Sequence, residues 1–203
     1  MELTAERRSR ATQALGVLAI AGFLTFVTVT VVFLVLRPDL DPLHRVMSNY
    51  AVGRNGLLME LAFIAAATGA IAVAVLVLRS DWSGRRARAG WLLLLVAGLG
   101  LVVAAVFPTD VNPADEPVTT TGHIHVAAGV ITFIALAVAG MTVSAVVWRG
   151  RAAAVAAFVI GLAFLAVLVS VAVDLRGLGQ RVFLYTAFLW LVTAAYRLAW
   201  KRV

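Results

Sequence analysis

The sequence predicts an all-α, polytopic membrane protein with six transmembrane helices and both termini in the cytoplasm. Three observations predict it. First, 63% of the 203 residues are apolar and the mean hydropathy is +1.00. Soluble domains run at about 45–50% apolar, so this chain has too little polar surface to cover a water-soluble globule. Second, six apolar runs are each long enough to cross a hydrocarbon core about 30 Å thick. They cover residues 14–36, 57–78, 90–107, 123–148, 152–173 and 182–200. Third, the arginines and the one lysine fall in short clusters that alternate between two sides.

The first run, 14–36, ends in Arg37, Pro38 and Asp39 with no small-residue cleavage site. It is longer than the 7–15 apolar residues of a signal peptide, so it reads as a retained anchor. The connection after it, from His44 to Gly56, is rich in hydrogen-bonding groups: Ser48, Asn49, Tyr50, Arg54 and Asn55. Gly53 and Gly56 suit tight turns there. Ser48 is either an assisting group at a site or a helix or turn cap. In the second run, Glu60 lies about one turn inside. An ionisable residue in a membrane helix is a functional candidate, and Arg54, Arg181 or a histidine is its expected partner. The alternative is a shallow Glu60 that reaches interfacial water.

The third run, 90–107, is the shortest. A polar stretch follows it, carrying Asp110, Asp115 and Glu116, and the fourth run opens with His123 and His125. Carboxylate and neutral imidazole are good zinc ligands, and histidine is the side chain whose ordinary pKa lies nearest neutrality. Helical residues two apart point about 200° apart, so His123 and His125 do not both face one centre if both are helical. They are equally readable as interfacial residues capping the helix. The fifth and sixth runs are joined by Val173–Phe183, where Gly177 and Gly179 are expected to make a tight turn. Arg181 would then open the last helix at the rim. There it would hold a carboxylate or lipid phosphate, or pair with Asp174 or Asp110. Three aspartates, Asp39, Asp110 and Asp174, end the three helical hairpins; this is either a hairpin repeat or ordinary turn chemistry.

Orientation follows from the basic residues. One side carries Arg7, Arg8, Arg10, Arg79, Arg85, Arg86, Arg88, Arg149, Arg151, Arg197, Lys201 and Arg202; the other carries Arg37, Arg45, Arg54, Arg176 and Arg181. The positive-inside rule places the first group, with both termini, in the cytoplasm of a cell with the chain in its inner (plasma) membrane. The net charge of +7 is thus a topology signal rather than a nucleic-acid surface. The chain contains no cysteine, which excludes disulfides and thiolate chemistry. Small residues at 65–70 and 98–100 would let helices approach closely. The whole chain, 1–203, reads as a single domain.

At "SNYAVGRNG", "FPTD" and "TGHIH" the chain resembles a prokaryotic six-helix membrane family catalogued as a domain of unknown function, the one numbered nine-nine-eight. Its recurring features fall here on Ser48, Tyr50, Gly53, Phe107, Pro108, Asp110, Gly122, His123 and His125, with Arg181 opening the last helix. The resemblance implies the six-helix architecture and no established activity. A weaker likeness is to the alkaline-ceramidase-like membrane hydrolases, whose zinc, serine and aspartate would fall on His123, Ser48 and Asp110. This chain lacks their late pair of histidines. In layout it is also similar to six-helix lipid-handling proteins.

The leading expectation is an outward-facing polar pocket that binds or modifies a lipid-like substrate. In its enzymatic form His123 and Asp110 act as acid–base or, with His125, hold zinc. Ser48 assists, and Arg181, Asn49, Tyr50 and Glu60 bind substrate. The partners would be membrane lipids. The second expectation is a non-catalytic subunit or scaffold held against a membrane-protein partner. The third is a transporter using Glu60, although no other ionisable residue stands deep in a helix to complete a path.

Overall fold

The computed structural model of the chain describes residues 2–80, 84–111 and 118–201, with side chains from residue 10 onward. Asp115 and Glu116 lie outside these residues, as do the side chains of Arg7, Arg8 and Arg202. The described chain is helical. Its helices are α1 (Glu2–Leu36), α2 (Gly56–Arg79), α3 (Arg85–Val106), α4 (Thr120–Val147), α5 (Arg151–Ala172) and α6 (Arg176–Trp200). A short 3-10 helix, Met47–Ala51, interrupts the α1–α2 connection. All six long helices have the length and composition to cross a membrane.

Each helix packs on the next in the chain, and α6 returns to α1, so the bundle closes on itself. Gly16, in the first half of α1, lies against Ala199 and Trp200 at the end of α6, so the first half of α1 and the end of α6 share one end of the bundle. The opposite end is termed distal below. Close approach is achieved with glycine. A Cβ on Gly22 would run into the Ala65 carbonyl of α2, and one on Gly98 into Ile71. This is how the small residues of 65–70 and 98–100 are used: in lipid, helix association depends on contact packing rather than on water exclusion. Phenylalanines fill the centre. Phe188 stacks on Phe23 and meets Phe26 edge-on, both at 5.0 Å between centroids, and Phe63 lies 5.7 Å from Phe26.

Helices α1 and α3 begin at Glu2 and Arg85 rather than at residues 14 and 90, and two further boundaries that differ from the hydropathy reading bear on the site. Helix α4 begins at Thr120 rather than residue 123, because Thr119 caps it. Helix α6 begins at Arg176 rather than residue 182. Its first turns are polar, so an apolar run does not reveal them. The turn before α6 is made by Asp174, at φ 56°, and not by the two glycines. Gly177 and Gly179 are helical, and each lets a neighbour come close: the carbonyls of Pro42 and Arg45 at Gly177, and Ser170 at Gly179. Helix α5 is the least embedded, with only Ile160, Ala163 and Ser170 buried.

Candidate functional site

The α1–α2 connection is folded down onto α6. Arg37 grips Asp39 through two guanidinium nitrogens at 2.7–3.1 Å and donates to the Val52 carbonyl. Asn55 takes a left-handed conformation, φ 65°, at the start of α2. The 3-10 helix between them is buried throughout. It is held from α6: Met47 N–H donates to Gln180 Oε1 at 2.5 Å, and Leu178 N–H donates to the Leu43 carbonyl at 3.0 Å.

Arg181 is the centre of this attachment. Its Nη1 donates to the carbonyls of Pro42, Arg45 and Gly177 at 2.7, 2.9 and 3.0 Å, and its Nη2 donates to Tyr50 Oη at 2.9 Å. The Tyr50 ring stacks on Phe33 at 4.8 Å. Arg181 is only 8% exposed. The expectation of a rim arginine open to an anion, or paired with Asp174 or Asp110, is therefore corrected. Because α6 starts a turn and a half earlier, Arg181 sits inside the protein and reads backbone carbonyls. Among the described residues it has no carboxylate partner.

Asp110 has an equally specific task. Its carboxylate accepts the Thr119 N–H at 3.0 Å and the Thr119 hydroxyl at 2.9 Å. Thr119 Oγ1 in turn accepts the Gly122 N–H at 3.0 Å. The acid thus stands at the start of α4, where exposed N–H groups and the helix dipole favour negative charge. Gly122 is needed because a side chain there would collide with this carboxylate.

The two histidines part company, as helical geometry requires. His123 is exposed, and its Nδ1 lies 2.9 Å from the Thr119 carbonyl. His125 is buried, with its Nδ1 2.8 Å from the Phe107 carbonyl and 3.1 Å from that of Ala104, at the end of α3. Carbonyls only accept, so Nδ1 carries a proton, and in the neutral ring Nε2 is then the acceptor. His125 therefore takes the inward position expected for His123. Asp110, His123 and His125 do not converge. Among the described residues no group of three His, Asp or Glu side chains is placed to hold a metal, so the expected zinc ligands do not form a set.

A cavity of about 440 Å³ opens at the distal end between the α1–α2 connection, α4, α5 and the first turns of α6. Its polar part is formed by Ser48, Asn49, Asp110 and His125 together with Arg45 and Gln180. Further along, α4 supplies Val126, Val130 and Phe133, and α5 supplies Val167 and Val171. Phe133 lies thirteen residues beyond Thr120, about 20 Å along the helix axis. The apolar wall is open at its edge: Val126, Val130 and Val171 are 53–57% exposed. A smaller void of about 30 Å³ shares Ser48, His125, Gly129, Phe133 and Gln180 with the cavity. It reaches Thr132, whose buried hydroxyl has no hydrogen-bond partner among the described residues.

Of the residues singled out in the sequence, Ser48, Asn49, Asp110 and His125 come together at this cavity. His123, Tyr50, Arg181 and Glu60 do not line it. Glu60 is half-buried on α2, and among the described residues no ion pair joins it to Arg54, Arg181 or a histidine. The cavity also uses Arg45, Ser170, Arg176 and Gln180, which the sequence did not mark. Gln180 and Ser170 left a faint signal as isolated polar residues beside or within apolar runs.

The model of the family described as "Protein of unknown function (DUF998)" matches residues 20–197 of the chain. No curated protein and no solved structure matches it, so the two weaker likenesses have no match behind them.

Proposed function

We propose that this chain, which belongs to the DUF998 family, binds a lipid-like amphiphile in the distal cavity. The observation that carries the reading is the division of the cavity. Hydrogen-bonding groups gather at the bundle end, and a valine-lined cleft runs from them between α4 and α5 to an exposed edge. An amphiphile has the same division. A volume of about 440 Å³ lies within the range of small-molecule sites. It takes a polar head and the first part of a chain, leaving the rest of the chain in the bilayer. Weak embedding of α5 favours passage between α4 and α5.

In the enzymatic form of this reading His125, in place of His123, is the base. In the neutral ring its Nε2 accepts a proton, and Ser48 lines the same cavity. Arginine asymmetry supports cytoplasmic termini in the plasma membrane, with the cavity facing outward.

The test is lipid retention. The chain is purified in mild detergent and its bound lipid is quantified beside Val130→Trp, which fills the cleft, and Leu99→Trp, which adds the same bulk at an exposed site on α3. Loss in Val130→Trp with retention in Leu99→Trp is expected. Equal retention in all three would refute the cleft as the site. Turnover of a fluorogenic ester lipid by wild type but not by His125→Ala would establish the enzymatic form.

A further inference from the structure

We infer that the amphiphile carries an anionic head, a phosphate or carboxylate, held by Arg45, Arg176 and the Gln180 amide. The inference rests on the cavity reading above and follows from which hydrogen-bonding capacity is already used at the mouth. Among the described residues the acceptors at the mouth are already engaged within the protein. Both carboxylate oxygens of Asp110 receive hydrogen bonds from Thr119. Gln180 Oε1 receives the Met47 N–H. Nearby Asp41 receives the Leu43 N–H and stands against His44.

The donors are not spent. A guanidinium carries five N–H groups, and Arg45 uses Nη1 on the Val111 carbonyl at 3.0 Å. Arg176 has a loose pairing with Asp174 at 3.4 Å, with both side chains more than half exposed. Such a pair is weak and yields readily to a better acceptor. Because Gln180 Oε1 is fixed by a backbone donor, its amide NH2 is the end left for the cavity. Both arginines and Gln180 line the same mouth, on two different elements. Among the described lining residues a cationic head would find one carboxylate, Asp110, which is already engaged with Thr119. A phosphate or carboxylate would find two guanidinium groups and an amide, the arrangement suited to oxyanions. The adjoining valine cleft distinguishes a lipid head from a free anion as the source.

The experiment is native mass spectrometry of the full chain in detergent with an equimolar mixture of phosphatidylglycerol and phosphatidylcholine. Inorganic phosphate is the competitor. We expect phosphatidylglycerol to be retained about tenfold over phosphatidylcholine. The Arg45→Gln/Arg176→Gln double variant should bring that ratio near one by losing phosphatidylglycerol, while the Arg45→Lys/Arg176→Lys variant keeps most of the preference. No preference in wild type, or a preference unchanged in the glutamine variant, overturns the inference while leaving the cavity reading intact. Undiminished binding in Val130→Trp overturns both. Displacement of the lipid by inorganic phosphate at equal concentration overturns the lipid source.

Discussion

Arg181 Nη2 donates to Tyr50 Oη at 2.9 Å, and its guanidinium lies 5.6 Å from the centre of the Tyr50 ring. One side chain of α6 thereby fastens the connection between α1 and α2, a segment 131 residues away in sequence. That connection supplies Ser48 and Asn49 to the cavity, so the shape of the site depends on Arg181 although Arg181 does not line it.

Arg181→Leu should destabilise the protein strongly, because it strands the carbonyls of Pro42 and Arg45 and the Tyr50 hydroxyl. A buried group left without its partner costs about 1–3 kcal/mol. Arg181→Lys should recover only part of this, since an ammonium cannot reproduce the planar fork. Thermal unfolding in detergent measures both. An unchanged midpoint in Arg181→Leu would remove the fastening role.

Asp110→Ala should cost about 0.5–1.5 kcal/mol, the usual net worth of a hydrogen bond, because it removes the acceptor that orients the capping Thr119. Gly122→Ala should cost more, because its methyl group meets the carboxylate. Bound metal, measured per chain beside His123→Ala, should not track these stability losses. About one zinc per wild-type chain, absent from both Asp110→Ala and His123→Ala, would show that Asp110 is a ligand rather than the acceptor that orients Thr119.

His123→Ala should leave lipid retention unchanged, whereas His125→Ala should reduce it. His123 is exposed and His125 lines the cavity. His125→Asn keeps a donor towards the end of α3 while removing the ring nitrogen, and so separates packing from chemistry. Equal losses at both positions would contradict the assigned directions of the two rings.

Acid should loosen the α1–α2 connection. Hydrogen bonds from Arg37 hold Asp39 below the usual carboxylate range. The Leu43 N–H, and then His44, do the same for Asp41. A carboxyl group whose pKa is depressed by folding contributes stability above its unfolded pKa. It loses that contribution as pH falls through the folded value. The melting midpoint should therefore drop on acidification below about pH 4, and by less in the Asp39→Asn/Asp41→Asn variant. Parallel curves for the two proteins would show that these pairings do not contribute.

The sequence by itself determined the six spans and the all-helical class. In lipid every backbone N–H and C=O must be satisfied within its own segment, so a run of apolar residues is enough to identify a helix locally. It also marked Ser48, Asn49, Asp110 and His125 as polar groups near one membrane face. Only the tertiary structure decided which of these share a cavity. Whether His123 or His125 faces inward depends on the rotation of α4. Whether Arg181 is a rim cation or a buried clamp depends on the polar first turns of α6, which hydropathy does not register. Arg45, Ser170, Arg176 and Gln180 meet across elements far apart in sequence. Their positions follow from helix packing and from the folded α1–α2 connection, and neither is encoded in any local pattern of residues.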